Sequence, residues 1–256
     1  MFDKDKSLHQ SNSLELPPSA VALLSHRWRL SLQAHEGILS RAVVPMKAKP
    51  AVTSVLALEQ SPSLAHGHRR HYSISMRRAL KIHPNSRCTA ATHIEVDVAR
   101  PHPSHLALHY FVTGKSSDLR MSPVTTPTRA DGLWRHTCFE AFVRASPSAA
   151  YYEFNFAPSM QWAAYRFRGY RSGMSVAGGV CAPHFSAQSD GKCCELQVSL
   201  ELDGFPDLPD DAPWYLSLSA VIEETSGRMS YWALAHPPGE ADFHHSDCFA
   251  LELPAA

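Results

Sequence analysis

From Met76 onward the chain alternates apolar and polar positions with a period of two. Thr92, Ile94, Val96 and Val98 alternate with His93, Glu95 and Asp97, the pattern of a half-buried strand. Leu106, Leu108, Tyr110 and Val112 alternate with Ala107, His109 and Phe111, and Pro101 and Pro103 between the two runs predict a hairpin-like pair. Phe139–Val143 forms a short apolar run around Glu140. Tyr152, Phe154 and Phe156 alternate with Tyr151, Glu153 and Asn155, and Trp162–Phe167 follows at hairpin distance across Pro158 and Ser159. Further strands are predicted at 194–200, 215–222, 230–235 and 249–253. Helical periodicity over a dozen residues is absent from this half, and three prolines exclude a long helix from 203–213. The expected fold is all-β: an antiparallel β-sandwich, immunoglobulin-like or jelly-roll-like, of about nine short strands. Two long connections, 115–133 and 171–192, are natural carriers of ligand contacts on such a scaffold.

The first 75 residues read differently. They hold nine Lys/Arg against five Asp/Glu, but of 24 aromatic residues only Phe2, Trp28 and Tyr72. Such a segment buries little apolar surface, so 1–75 is expected to be a largely disordered leader with one short helix around Ala20–Leu32. Met76 is an alternative start, which would place 1–75 outside the native protein. The domain is then 76–256, with a net charge of −4 against +4 for the leader. The chain as a whole is neutral, with 24 residues of each sign, and a neutral chain argues against a nucleic-acid partner. The longest early apolar run, Ala20–Leu24, is too short for a secretory core or a membrane span, and Asp3, Asp5 and Glu15 argue against a transit peptide. Six cysteines with no Cys-x-x-Cys pair then predict reduced thiols and a cytoplasmic location, with no membrane partner.

The densest chemistry lies in three consecutive pieces: Leu133–Val143 (LWRHTCFEAFV), Tyr151–Ser159 (YYEFNFAPS) and Trp162–Tyr165 (WAAY). In this order they resemble the DOMON-like domains of bacterial proteins, which are related to the family 9 carbohydrate-binding modules. The tail, Tyr231–Pro237 with Asp242–His245 and Phe249–Leu251, resembles the closing strands of the same group. The resemblance spans roughly 76–256. It implies a ligand-binding β-sandwich, with sugars or haem as the ligand classes of the wider group. Trp134, Glu140, Tyr152, Glu153, Asn155 and Pro158 match motif positions. Cys138 and Phe139 stand where sugar modules often carry an aspartate, which argues against a calcium site.

A sugar site needs flat aromatic faces and groups that read hydroxyls. Trp134, Trp162, Tyr165 and Tyr170 are candidates for the faces, while Glu140, Asn155, Arg166 and Arg171 are candidates for the hydrogen bonds. The ligand-binding set is therefore Trp134, Glu140, Asn155, Trp162, Tyr165 and Arg171. The competing reading of alternating strand aromatics is core, above all for Tyr152, Phe154 and Phe156. Glu140 and Glu153, if they turn inward, need partners such as Arg135, Arg144 or Arg166. The alternative ligand, haem, requires axial donors, for which His136, His236, His244 and Met174 are the candidates. Asp242, His244, His245 and Asp247 form a metal-like cluster, but adjacent strand residues face opposite ways, so a surface loop is the expectation and no metal is assigned. Nucleophile-elbow, phosphate-loop and His-Glu-x-x-His motifs are absent, and nothing places Glu140 and Glu153 as a glycosidase pair. The sequence thus points to a non-catalytic domain that binds a small molecule, a sugar ahead of haem, with a protein-interaction module as a third reading and the oligomeric state left open.

Overall fold

The computed structural model describes residues 75–179 and 181–255, so the leader and its expected helix lie outside the described residues. Strands dominate: β1 (Met76–Ile82), β2 (Ala91–His102), β3 (His105–Gly114), β4 (Thr128–Arg129), β5 (Cys138–Ala145), β6 (Tyr151–Phe156), β7 (Gln161–Phe167), β8 (Ser175–Val176), β9 (His184–Ser189), β10 (Cys193–Glu201), β11 (Trp214–Glu223), β12 (Met229–Ala233) and β13 (Leu251–Leu253). They pair in the order β4-β7-β6-β5-β11-β12-β1-β2-β3-β10-β9, with β13 on β11 and β8 on β7.

β1 belongs to both layers. Met76–Leu80 pairs with β2, whereas Lys81 and Ile82 pair with Ala233 and Trp232 of β12. The path therefore folds over at β1 and makes a β-sandwich of a first sheet (β1, β2, β3, β10, β9) and a second sheet (β4, β7, β6, β5, β11, β12 and the end of β1). Pairing is antiparallel as expected, except that β4 runs parallel to β7 through Thr128–Gln161 and Arg129–Trp162. β4 is a two-residue contact made by the 115–133 connection as it passes the edge of β7, so it owes its direction to the loop rather than to a hairpin.

The predicted runs fall on β2, β3, β5, β6, β7, β10, β11, β12 and β13. β2 and β3 form the expected hairpin, with Ile94 opposite Val112, Val96 opposite Tyr110 and Val98 opposite Leu108. Between the sheets lie Ile94, Val96, Tyr110, Leu196 and Val198 from one side and Phe139, Phe154, Phe156, Leu216 and Leu218 from the other. Tyr152 joins them, so the predicted core aromatics of β6 do face inward. Tyr110 crosses the interface, its hydroxyl donating to the Glu140 carbonyl at 2.9 Å.

The second sheet is buried on its outer face as well. A separate apolar cluster sits there, with Leu133, Phe142, Tyr151, Tyr165, Phe167 and Phe249 among its members. All six positions of β6 are consequently buried. This layer consists of loop chain, chiefly 236–250 and the turn at Leu133–Arg135.

Two polar anchors hold the turns. The buried Arg100 guanidinium stacks 3.7 Å over Trp214 and donates to the carbonyls of Pro103 (2.8 Å), Ala212 (2.7 Å), Asp210 (2.9 Å) and Pro254 (3.3 Å). It thereby ties the β2–β3 turn, the 203–213 segment and the C-terminal tail together. Glu224 accepts from Thr89 N (2.5 Å), Thr89 Oγ1 (2.9 Å), Ala90 N (3.1 Å) and Ser226 Oγ (3.2 Å). The Thr89 N–H leads these bonds in holding its carboxyl down at about 2, against the opposing effect of burial.

Replacing Arg100 with Ala strands these carbonyls and should lower stability by about 3 kcal/mol. Arg100→Lys should recover only part, because an ammonium cannot present the planar fork. Urea unfolding midpoints check both, and a loss below about 0.5 kcal/mol for the Ala variant would contradict the anchor role. Glu224 has a depressed folded pKa, so its contribution is complete above the ordinary carboxyl value and is lost as pH falls toward about 2. The slope of stability against pH between about 4.5 and 2 should be shallower in Glu224→Gln than in the parent.

Candidate functional site

The outer face of the second sheet carries its chemistry on three adjacent strands. Ser219, Glu140 and Asn155 stand side by side across β11, β5 and β6, and Glu153 lies opposite Phe142 and Tyr165. All of these are buried. Ser219 Oγ donates to Glu140 Oε2 at 3.3 Å, and Asn155 Nδ2 donates to Glu153 Oε1 at 2.9 Å. The other Glu153 oxygen lies 3.6 Å from His244 Nε2. His244 Nδ1 is 2.8 Å from the Tyr151 hydroxyl, which also accepts the Arg171 N–H at 3.2 Å. The Tyr151 hydroxyl thus bridges the His244 ring and the backbone of the β7–β8 hairpin. Burial pushes the Tyr151 hydroxyl upward, so it remains a donor.

His244 belongs to the covering loop, and so does Asp242. The Asp242 carboxylate accepts from the Tyr170 hydroxyl (2.5 Å) and from Arg171 Nη2 (2.6 Å) and Nε (3.1 Å). Burial opposes its ionisation, but these bonds outweigh burial and hold its carboxyl below the usual range. Tyr170 and Arg171 form the tip of the hairpin between β7 and β8. Arg171 takes the left-handed conformation there, with φ of 48°, which costs about 1–2 kcal/mol for a residue with a Cβ. The ion pair with Asp242 offsets that strain.

Between this tip, the covering loop and the β5–β6 connection opens a cleft of about 540 Å³, lined by Arg144, Tyr151, Tyr170, His245, Ser246 and Phe249 among others. That volume lies within the ~300–1,000 Å³ typical of small-molecule sites. Tyr170 presents its ring at the mouth, 58% exposed and edge-on to His245 at 6.3 Å. Arg144 lies 4.5 Å over the ring of Phe249. A second open groove of about 690 Å³ follows Asp97, His109, His184, Gln197 and Ser199 on the first sheet, and no Tyr or Trp lines it.

None of the six residues expected to bind ligand lines this cleft; Arg171 lies beside it, next to Tyr170 and paired with Asp242. Glu140, Asn155 and Tyr165 lie on the same outer face but beneath the cover, and Tyr165 there donates to Asp131. Trp134 is half-buried, edge-on to Tyr165 at 6.2 Å. Trp162 is placed in the inter-sheet core at 8% exposure, with no ring face open to a ligand. The four candidate haem donors do not assemble into an axial set. His136 pairs with Glu223 at 2.7 Å, just ahead of β5, while His244 packs on Phe142 at 4.9 Å, six residues further on. That is roughly 20 Å of extended chain. His236 donates through Nε2 to the Lys81 carbonyl at 2.8 Å, and Met174 packs against the outer apolar cluster. Asp242, His244 and His245 do sit on a loop, as expected, with His244 buried and His245 turned outward.

Arg144, expected as an ion-pair partner, and Phe249, expected on a strand, instead line the cleft. A usable signal was the Gly169-Tyr170-Arg171-Ser172-Gly173 run, a tight turn that places an aromatic at its tip.

No protein-family model matches the chain, and no curated protein matches it. Among solved structures the chain is similar to a candidate carbohydrate-binding protein from Bacteroides uniformis, at 13% identity and a TM-score of 0.48 over 68% of this chain and 83% of that one. It is also similar to a family 9 carbohydrate-binding module from Caldicellulosiruptor kristjanssonii. The cellotriose complex matches at 11% identity and a TM-score of 0.40, over 64% of this chain and 75% of that one. The glucose complex matches at 12% and 0.39, over 70% and 84%. None of these likenesses assigns a residue of the cleft.

Asp242 joins the hairpin tip to the cover, so Asp242→Asn should release both Tyr170 and Arg171. The expected result is faster amide hydrogen exchange across 168–173, with β5 and β6 as protected as in the parent. Unchanged exchange at the tip would show that the turn holds without this carboxylate.

Proposed function

We propose that this chain is a non-catalytic carbohydrate-binding domain whose ligand occupies the cleft above the second sheet. The observation that carries this reading is Tyr170: a ring 58% exposed, fixed through its hydroxyl by Asp242, at the mouth of a cleft of about 540 Å³. Sugar rings have an apolar face of C–H groups and an edge of hydroxyls. An aromatic ring receives the face, and nearby donors and acceptors read the edge. His245 and Ser246 stand beside the ring to do so. A ring already held by hydrogen bonding loses little freedom when the ligand stacks on it. The sequence resemblance carried by 133–165 supports the same ligand class.

Isothermal titration against a panel of soluble di- to tetrasaccharides tests the reading. Tyr170→Ala should weaken binding about tenfold, the upper end of what an aromatic contact contributes beyond its buried area. Tyr170→Phe keeps the stacking face and should lose far less. No binding across the panel, or full binding by Tyr170→Ala, would overturn the proposal.

A further inference from the structure

Resting on the carbohydrate reading above, we infer that the cleft is built for a saccharide that bears a carboxylate, a uronic acid, and that Arg144 is the group that holds it. Arg144 projects from the outer face of β5, half-buried, into the cleft. Several arginines of the second sheet and its loops have carboxylate partners: Arg129 holds Asp131, Arg166 holds Asp207 and Arg171 holds Asp242. Arg144 makes no ion pair or side-chain hydrogen bond among the described residues, and its guanidinium instead lies 4.5 Å over Phe249. A guanidinium placed over a ring in this way keeps N–H donors that the ring does not use. A planar fork of this kind matches a carboxylate through two parallel hydrogen bonds.

The rest of the cleft leaves that fork to the ligand. No carboxylate lines it. Asp242, on the neighbouring rim, is engaged by Tyr170 and Arg171, and Glu153 lies beneath the floor against His244 and Asn155. His245 is turned toward Asp247, at 3.7 Å. Arg144 is therefore the one guanidinium of the lining, with no carboxylate beside it there. Phe249 is itself held, packed edge-on against Tyr151 at 5.8 Å, so the fork has a fixed base. A uronate ring stacked on Tyr170 presents its carboxylate at the ring edge, in the plane where a neighbouring guanidinium can take it. A neutral hexose offers a hydroxymethyl group at that position.

The test compares matched oligosaccharides by isothermal titration: glucuronate against glucose, galacturonate against galactose, and mannuronate against mannose. At least one uronate should bind about tenfold or more tightly than its neutral counterpart, the scale of a charge-assisted hydrogen-bond pair. Its affinity should fall with added sodium chloride while that of the neutral sugar holds. Arg144→Gln should bring the uronate-to-neutral ratio to about one. Neutral sugars that bind in a Tyr170-dependent way with no uronate preference would overturn this inference and leave the carbohydrate reading standing. A preference that survives Arg144→Gln would also overturn it. Absence of binding by either series removes the carbohydrate reading and this inference with it.

Discussion

A strand whose two faces are both buried needs a layer on each side, and β6 is such a strand. Its inward residues, Tyr152, Phe154 and Phe156, are satisfied by the opposing sheet. Its outward residues are a phenol, a carboxylate and a carboxamide, and sealing these from water is costly unless each finds a partner. Tyr151 and Glu153 find theirs in His244 and Asn155. His244 comes from the 236–250 loop, so satisfying the β6 polar groups requires that loop to lie down on the sheet. Once it does, Asp242 is brought within reach of the β7–β8 hairpin, and the Tyr170–Asp242–Arg171 cluster can form. The cleft is the rim of this covering layer, a by-product of how the second sheet is closed.

The same point explains which features were legible in the sequence. Alternation of apolar and polar residues reports which side chains share a face, and it located β2, β3, β5, β6, β7, β10, β11 and β12 correctly. It fails where one face has little to bury. β1, Met76–Ile82, has one fully buried position, Leu80, and β9 lies at a sheet edge with no buried position at all. Alternation also says nothing about whether a third layer covers the outer face. Glu140, Asn155 and Tyr165, expected among the ligand contacts, share one face but are buried there, because the 236–250 loop that covers them is distant in sequence. Trp162 went astray for a different reason: it lies on the inward-facing phase of β7, with Ala164, and an inter-sheet tryptophan looks the same in sequence as a displayed one.

Charge is handled differently at the two kinds of location. At the turns, the hydrogen bonds of Arg100 go to carbonyl oxygens, and the Trp214 face covers its guanidinium. Glu224 is held in turn largely by backbone N–H groups and hydroxyls. Each is a side chain acting as the missing hydrogen-bond partner of loop backbone, a role that buried backbone imposes wherever sheets end. On the outer face of the second sheet the pattern is one of paired side chains, which fixes the angular placement of a loop more tightly than backbone bonds alone.

That pairing couples the two rims of the cleft. Tyr170 is held by Asp242, which also accepts the main-chain N–H of His244 at 3.2 Å. Arg144 is held by Phe249, which packs on Tyr151, the hydrogen-bond partner of His244. Both rims therefore trace back, through two contacts on one side and three on the other, to the buried histidine beside Glu153. A ligand that spans the platform and the arginine would bridge two parts of the surface already referenced to a common point. Holding them there before the ligand arrives removes ordering costs that flexible loops would impose on binding. The buried polar face, which looks like a burden on folding, is in this arrangement what gives the cleft a defined width.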